Sequence, residues 1–241
     1  MIKNWECGSK KQNAGIVAIT LFSILLMYPA VVVLVRADNI NPGVFAIDSK
    51  PYGTSYADWT ANWSKWLISI PQPGNPITDS TGKYCAQGQS GPVWFLPGTT
   101  GGAAERTCTI PAGKAVLFPV LNSECDYVSF PNVKSEPELV SCARADVNRG
   151  INQQATVDGV SLKQLGTYRI TSPQYNFTYP AKNIFGAPQG PTQGVTDGYW
   201  VFLQPLSPGK HELHFSGETP GNPTTGTANF AVDVTYHLIF K

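Results

Sequence analysis

The chain has 241 residues and a formal charge of +1. Its last 204 residues carry 13 Lys/Arg and 15 Asp/Glu, which excludes a polyanion-binding surface and therefore nucleic acid as a partner. Charge is sparse and Gly plus Pro make up 40 of those 204, so neither charge-driven disorder nor a helix-dominated fold fits.

Residues 1–37 read as an export segment. Lys3, Lys10 and Lys11 precede an apolar run over 16–35, and Val35 and Ala37 stand at the −3 and −1 positions of a cut before Asp38. The run is also long enough to span a bilayer, so a cleaved signal peptide and an uncleaved N-terminal hydrophobic helix both remain open. Either way the lysines keep the N-terminus inside, and residues 38–241 form an extracytoplasmic domain, secreted or anchored. The membrane is a partner only if the segment is retained. Four cysteines follow, and an even count in an exported domain reads as disulfides. Of the three pairings, Cys85–Cys108 and Cys125–Cys142 close the modest local loops. Asn62 and Asn176 head glycosylation sequons.

In chain order, 38–52 is a Pro/Gly-containing lead-in and a candidate donated strand for self-assembly or an envelope partner. Ser55 and Asp58 then suggest a capping box. Tyr56, Trp59, Trp63, Trp66 and Ile70 recur at steps of three and four, which predicts a helix ended by Pro71. Strands are expected at 93–96, 106–110, 115–121, 167–171, 175–179, 199–203, 210–216 and 230–240. A second helix is expected at 136–149, capped by Ser135, and a hairpin turns at Asp158-Gly159. The runs at 93–96, 115–121 and 199–203 are apolar at odd and even positions alike, so both faces of their sheet need covering. These elements specify a mainly β fold: a two-layer antiparallel β-sandwich, jelly-roll or immunoglobulin-like, with one or two packed helices.

Several blocks carry a resemblance. Tyr52-Gly53 with Trp59, Trp63 and Trp66, then Gly91-Pro92-Val93-Trp94-Phe95-Leu96, Thr109-Ile110-Pro111-Ala112-Gly113-Lys114, Asp197-Gly198-Tyr199-Trp200 and Val234-Thr235-Tyr236-His237, resemble a family of exported archaeal and bacterial single-domain proteins. The resemblance runs from Pro51 to the C-terminus. That family carries no assigned activity, so the resemblance implies export and a single domain, and no cofactor or catalytic residue.

Three constellations could carry chemistry. If 210–216 and 230–240 pair as a hairpin, Glu212, His214, Asp233 and His237 share one outer face, where two His and two carboxylates could ligate a metal. The alternative is a solvated face of cross-strand polar pairs, with no cofactor. Glu124 and Asp126, in an expected loop over 122–126, could act as an acid–base pair on a glycosidic bond. Trp59, Trp63 and Trp66 could stack on a sugar, although their spacing is also that of a core-facing helix. The sequence points first to an exported structural, adhesive or ligand-binding domain. A metal- or carbohydrate-binding module and a secreted hydrolase using the acidic pair are the alternatives.

Overall fold

The first helix forms where the tryptophan spacing puts it. α1 spans Tyr56–Ser69, and Ser55 Oγ accepts the Asp58 amide at 3.1 Å, closing the first turn. At the other end the buried Asn75 side chain donates to the carbonyls of Leu67 (2.7 Å) and Ile70 (2.8 Å), adding to the Ile70 amide that caps Leu67. The second helix, α2, spans Glu136–Val147. Ser135 makes no capping bond with its side chain; instead Glu138 reaches back to accept the Lys134 amide at 2.6 Å.

The computed structural model describes residues 40–41, 43–224 and 226–241. Residues 1–37, read above as an export segment, lie outside the described residues. No helix among the described residues is long and apolar enough to cross a membrane.

The strands are β1 (Val93–Phe95), β2 (Gly102–Ile110), β3 (Ala115–Asp126), β4 (Ile151–Val157), β5 (Val160–Ser161), β6 (Arg169–Thr171), β7 (Tyr175–Tyr179), β8 (Gly190–Leu203), β9 (Gly209–Thr219) and β10 (Phe230–Phe240). They form two five-stranded sheets. In the first, β1, β3 and β8 are adjacent, and β6 and β7 both pair with the far edge of β8; the second runs β2-β10-β9-β4-β5. The expectation of purely antiparallel sheets is corrected, because β1 pairs with β3 and β2 with β10 in parallel. A parallel pair needs a crossover connection. Here β2 supplies it: the chain leaves β1, adds β2 to the second sheet and returns as β3.

The apolar runs are explained by what lies on each face. Ala115–Leu121 is buried at every position. On one side Phe118 stacks on Phe215 of β9 with ring centres 5.0 Å apart, joining the two sheets. On the other, α1 lays Trp63 against Trp200 at 5.2 Å and Trp59 and Tyr56 against Phe202 at 5.8 and 5.6 Å. α2 packs on β3 and β8 and is tied there by Cys125–Cys142. The other disulfide is Cys85–Cys108, so the local pairing is the one formed. The hairpin at Asp158-Gly159 also forms, with φ of 51° and 76°, the positive pair that a tight β4–β5 turn requires.

Two segments differ from their sequence reading. Residues 122–126 are no loop; they continue β3, held by β8 across Asn122–Gly198 to Asp126–Gly194. Polar residues fit there because this half of the strand leaves the double-covered centre. The lead-in, considered above as a donated strand, pairs with its own sheet. Val44 bridges Leu203, the Phe45 amide donates to the Phe202 carbonyl at 2.8 Å, and Asn41 exchanges two 2.8 Å bonds with the Lys163 backbone.

Candidate functional site: a cleft on the open edge of β3

β1 covers the second edge of β3 only at Ala115–Leu117. The chain then turns away at Pro97-Gly98 toward β2, so from Phe118 onward β3 has β8 on one edge and, among the described residues, no strand on the other. That open edge forms the floor of a cleft of about 620 Å³. One wall is the α1 face bearing Trp63, Leu67 and Ile68. Phe230 and Val232 of β10 also line the cleft, as do Ile184 and Phe185. Phe185 is 53% exposed at the cleft. Against these apolar walls stand a few polar groups: Ser64 from α1, and Asn122, Ser123 and Glu124 from the floor. Asp146 and Arg149 pair at 2.8 Å at the rim. Apolar walls with few convergent polar groups are the ordinary make-up of a ligand site.

Glu124 is the chemically distinctive member. Burial pushes its carboxyl well above the usual range and the nearby Asp126 charge adds to this, while the Tyr175 hydroxyl, donating at 3.3 Å, opposes them. The Tyr175 hydroxyl is itself driven up by burial and by the Glu124 charge. Gly194 of β8 makes the arrangement possible: a Cβ there would come within 2.3 Å of Glu124 Oε1. Ser64 Oγ, on a residue 2% exposed, faces the Tyr175 hydroxyl without a hydrogen bond of standard geometry.

The raised Glu124 pKa has a measurable consequence. The unfolded carboxyl ionises near 4.5 and the folded one above it, so the native state loses stability as pH rises from that value. Glu124→Gln keeps the neutral shape and removes the loss. Denaturant unfolding is expected to show the variant more stable than the parent at pH 8 and equal to it at pH 4; an equal difference at both would contradict the assignment.

The two acidic residues part company here. Asp126 is fully buried and lies off the cleft. It accepts the amides of Val128 (2.8 Å) and Ser129 (3.0 Å) and the Tyr179 hydroxyl (2.8 Å), which fixes the turn after β3. Only Glu124 reaches the cleft, so the pair does not present two carboxyls to one substrate.

The outer face of the second sheet forms as the alternation requires. β9 and β10 pair with Glu212 opposite His237 and His214 opposite Thr235, and Glu212, His214, Asp233 and His237 are partly exposed on one surface. They divide into separate pairs. His214 Nε2 meets Asp233 Oδ1 at 3.0 Å, while His237 Nε2 meets Glu105 Oε1 of β2 at 2.8 Å and its Nδ1 lies 3.8 Å from Glu212 Oε2. Among the described residues no three His, Cys, Asp or Glu side chains group to hold a metal ion. Of the tryptophans, Trp63 and Trp66 are buried and Trp59 half-buried. Their indole N–H groups donate to the carbonyls of Leu96 (3.0 Å), Gln87 (2.9 Å) and Pro51 (2.9 Å), so all three serve the packing of α1. Only Trp63 also lines the cleft.

No family model, curated protein or solved structure matches this chain. Sequence reasoning found Glu124 and Trp63 but missed Ser64 and Phe185. The available signal for Ser64 was its place beside Trp63 on α1, one step around the buried stripe.

Proposed function

We propose that this chain is an exported binding domain whose β3 cleft takes an amphipathic segment or small molecule, without catalysing a reaction on it. The observation that carries the reading is the cleft itself: apolar walls around an open strand edge, with Glu124, Ser64, Asn122 and Ser123 as its few polar groups. A carboxyl whose charged form burial disfavours, set among apolar walls, suits a neutral, hydrogen-bonding head group. An open edge also suits an extended chain, which pairs through its backbone. Hydrolysis by Glu124 and Asp126 is the weaker reading, since Asp126 is buried off the cleft and cannot meet the same substrate.

Export rests on the two disulfides, which persist in oxidising compartments, and on the lysine-then-apolar pattern of residues 1–37. The envelope location, whether secreted or anchored, and kinship with the exported family resembled above belong to the same reading. So does the finer architecture. The facing sheets support a sandwich, while the parallel pairs favour a departure from a simple immunoglobulin or jelly-roll order.

Native mass spectrometry of the oxidised protein tests this. The expected spectrum shows a stoichiometric adduct on the parent protein that is lost in Phe185→Asp, a change at an exposed cleft wall that leaves the core intact. Bare protein throughout, or an adduct that survives in Phe185→Asp, would contradict it.

A further inference from the structure

A second cavity, of about 680 Å³, lies elsewhere on the same domain and is built from different chemistry. α2 contributes Arg144 and its C-terminal cap Asn148, β6 contributes Arg169 and Thr171, and β8 contributes Asp197. The lead-in adds Asp48, Ser49 and Lys50, and the first turn of α1 adds Ser55 and Tyr56.

Both guanidiniums converge on one carboxylate. Arg169 donates to Asp197 Oδ1 through Nε (2.9 Å) and Nη2 (2.7 Å), and Arg144 Nε lies 3.7 Å from Oδ2. Thr171 Oγ1 donates to Oδ2 at 2.6 Å and accepts from Arg144 Nε and Nη2 at 2.9 and 2.8 Å. Arg169 Nη2 also donates to Asn148 Oδ1 at 2.7 Å.

The exposures separate the roles. The Asp197 side chain is 1% exposed, Arg169 28% and Arg144 51%. The carboxylate is thus sealed beneath two cations that still face the cavity. One carboxylate offsets one guanidinium. With Lys50 and Asp48 at the rim included, the cavity wall keeps an excess of one positive charge. Among the described residues, neither Arg144 Nη1 nor Arg169 Nη1 is used in a hydrogen bond. Fork-shaped guanidiniums with spare N–H groups match a carboxylate or other oxyanion. The cavity is much larger than one oxyanion, and its other polar groups are hydroxyls and an amide, which suit polyol hydroxyls.

We infer that this cavity binds a sugar acid, its carboxylate against Arg144 and Arg169 and its hydroxyls against Ser49, Ser55 and Asn148. The Asp197 carboxylate holds the two guanidiniums in place for it. The site is independent of the β3 cleft.

Isothermal titration of the full-length protein at low salt, with D-galacturonate, glucose and sulfate as probes, tests the assignment. Galacturonate is expected to bind at one site, with glucose and sulfate each at least tenfold weaker. Arg144→Gln, at a half-exposed side chain, is expected to lower galacturonate affinity at least tenfold, and Lys50→Gln to lower it less. Phe185→Asp is expected to leave it unchanged. Absence of galacturonate binding, equal affinity for sulfate or glucose, or unchanged affinity in Arg144→Gln would overturn the inference.

Discussion

Arg106→Met is expected to cost about 4 kcal/mol of folding stability, near the upper end of single substitutions. Arg106 is 2% exposed, on β2, and no side-chain carboxylate bonds to it. Its charge is dispersed instead over backbone oxygens. Nε donates to Asp79 O (2.6 Å), Nη1 to Pro97 O (2.9 Å), Gly98 O (2.9 Å) and the Tyr236 hydroxyl (2.6 Å), and Nη2 to Ile77 O (3.2 Å). The guanidinium also lies over the Tyr236 ring at 5.4 Å. Methionine fills similar volume but leaves those carbonyls without a donor, and each buried unpaired group costs about 1–3 kcal/mol before relaxation. For a domain of this size the loss lowers the melting midpoint by about 8–16 °C. Arg106→Lys is expected to fall between, because three donors on one nitrogen cannot reach acceptors spread around a fork. The residue also holds Ile77 and Gly98, both in the wall of the β3 cleft, so binding there is expected to weaken with stability. Thermal and guanidinium unfolding of the three proteins checks this; a loss under about 1 kcal/mol for Arg106→Met would show that water satisfies the freed carbonyls.

The second large effect is redox. Each disulfide closes a short loop, with sequence separations of 23 and 17 residues, and each is expected to contribute about 3 kcal/mol in the loop-entropy account. They tie different parts of the fold: Cys85–Cys108 fastens the segment after α1 to β2, and Cys125–Cys142 fastens α2 to β3. Their losses are therefore expected to add, to about 6 kcal/mol. Removing either pair by Cys→Ser substitution should leave a folded protein, since the core spans both sheets. Removing both, or adding a reductant, should shift unfolding by the sum. A doubly substituted protein as stable as the parent would contradict the disulfide account and weaken the case for an oxidising compartment.

The contrast between these features and the sequence reading has a physical basis. What is encoded locally was legible. The α1 stripe, the Ser55 cap, the Asp158-Gly159 turn and the nearest-neighbour disulfides each depend on residues within about two dozen positions. The β9–β10 hairpin was legible for the same reason, and so its polar face was found. What that face does was not legible, because Glu105 enters from β2, more than a hundred residues away in sequence, and takes His237. The parallel pairs, the early end of β1 and the burial of Arg106 are likewise products of long-range pairing. Residues 122–126 misled because a polar stretch reads as a loop. Only the partner strand β8, with Gly194 and Gly198 clearing space beside Glu124 and Asn122, shows that it can remain a strand. The acidic pair failed as a pair for a related reason: Asp126 is consumed by a turn and by Tyr179, from distant β7.

The most direct test of the central claim, that the β3 cleft is a binding site, is fluorescence titration with the neutral apolar probe N-phenyl-1-naphthylamine. The account predicts a saturable single-site curve for the parent protein. It predicts at least tenfold weaker binding in Phe185→Asp and no change in Arg144→Gln, which lies outside the cleft. A linear, unsaturable response from the parent protein, or the same affinity in Phe185→Asp, would contradict it.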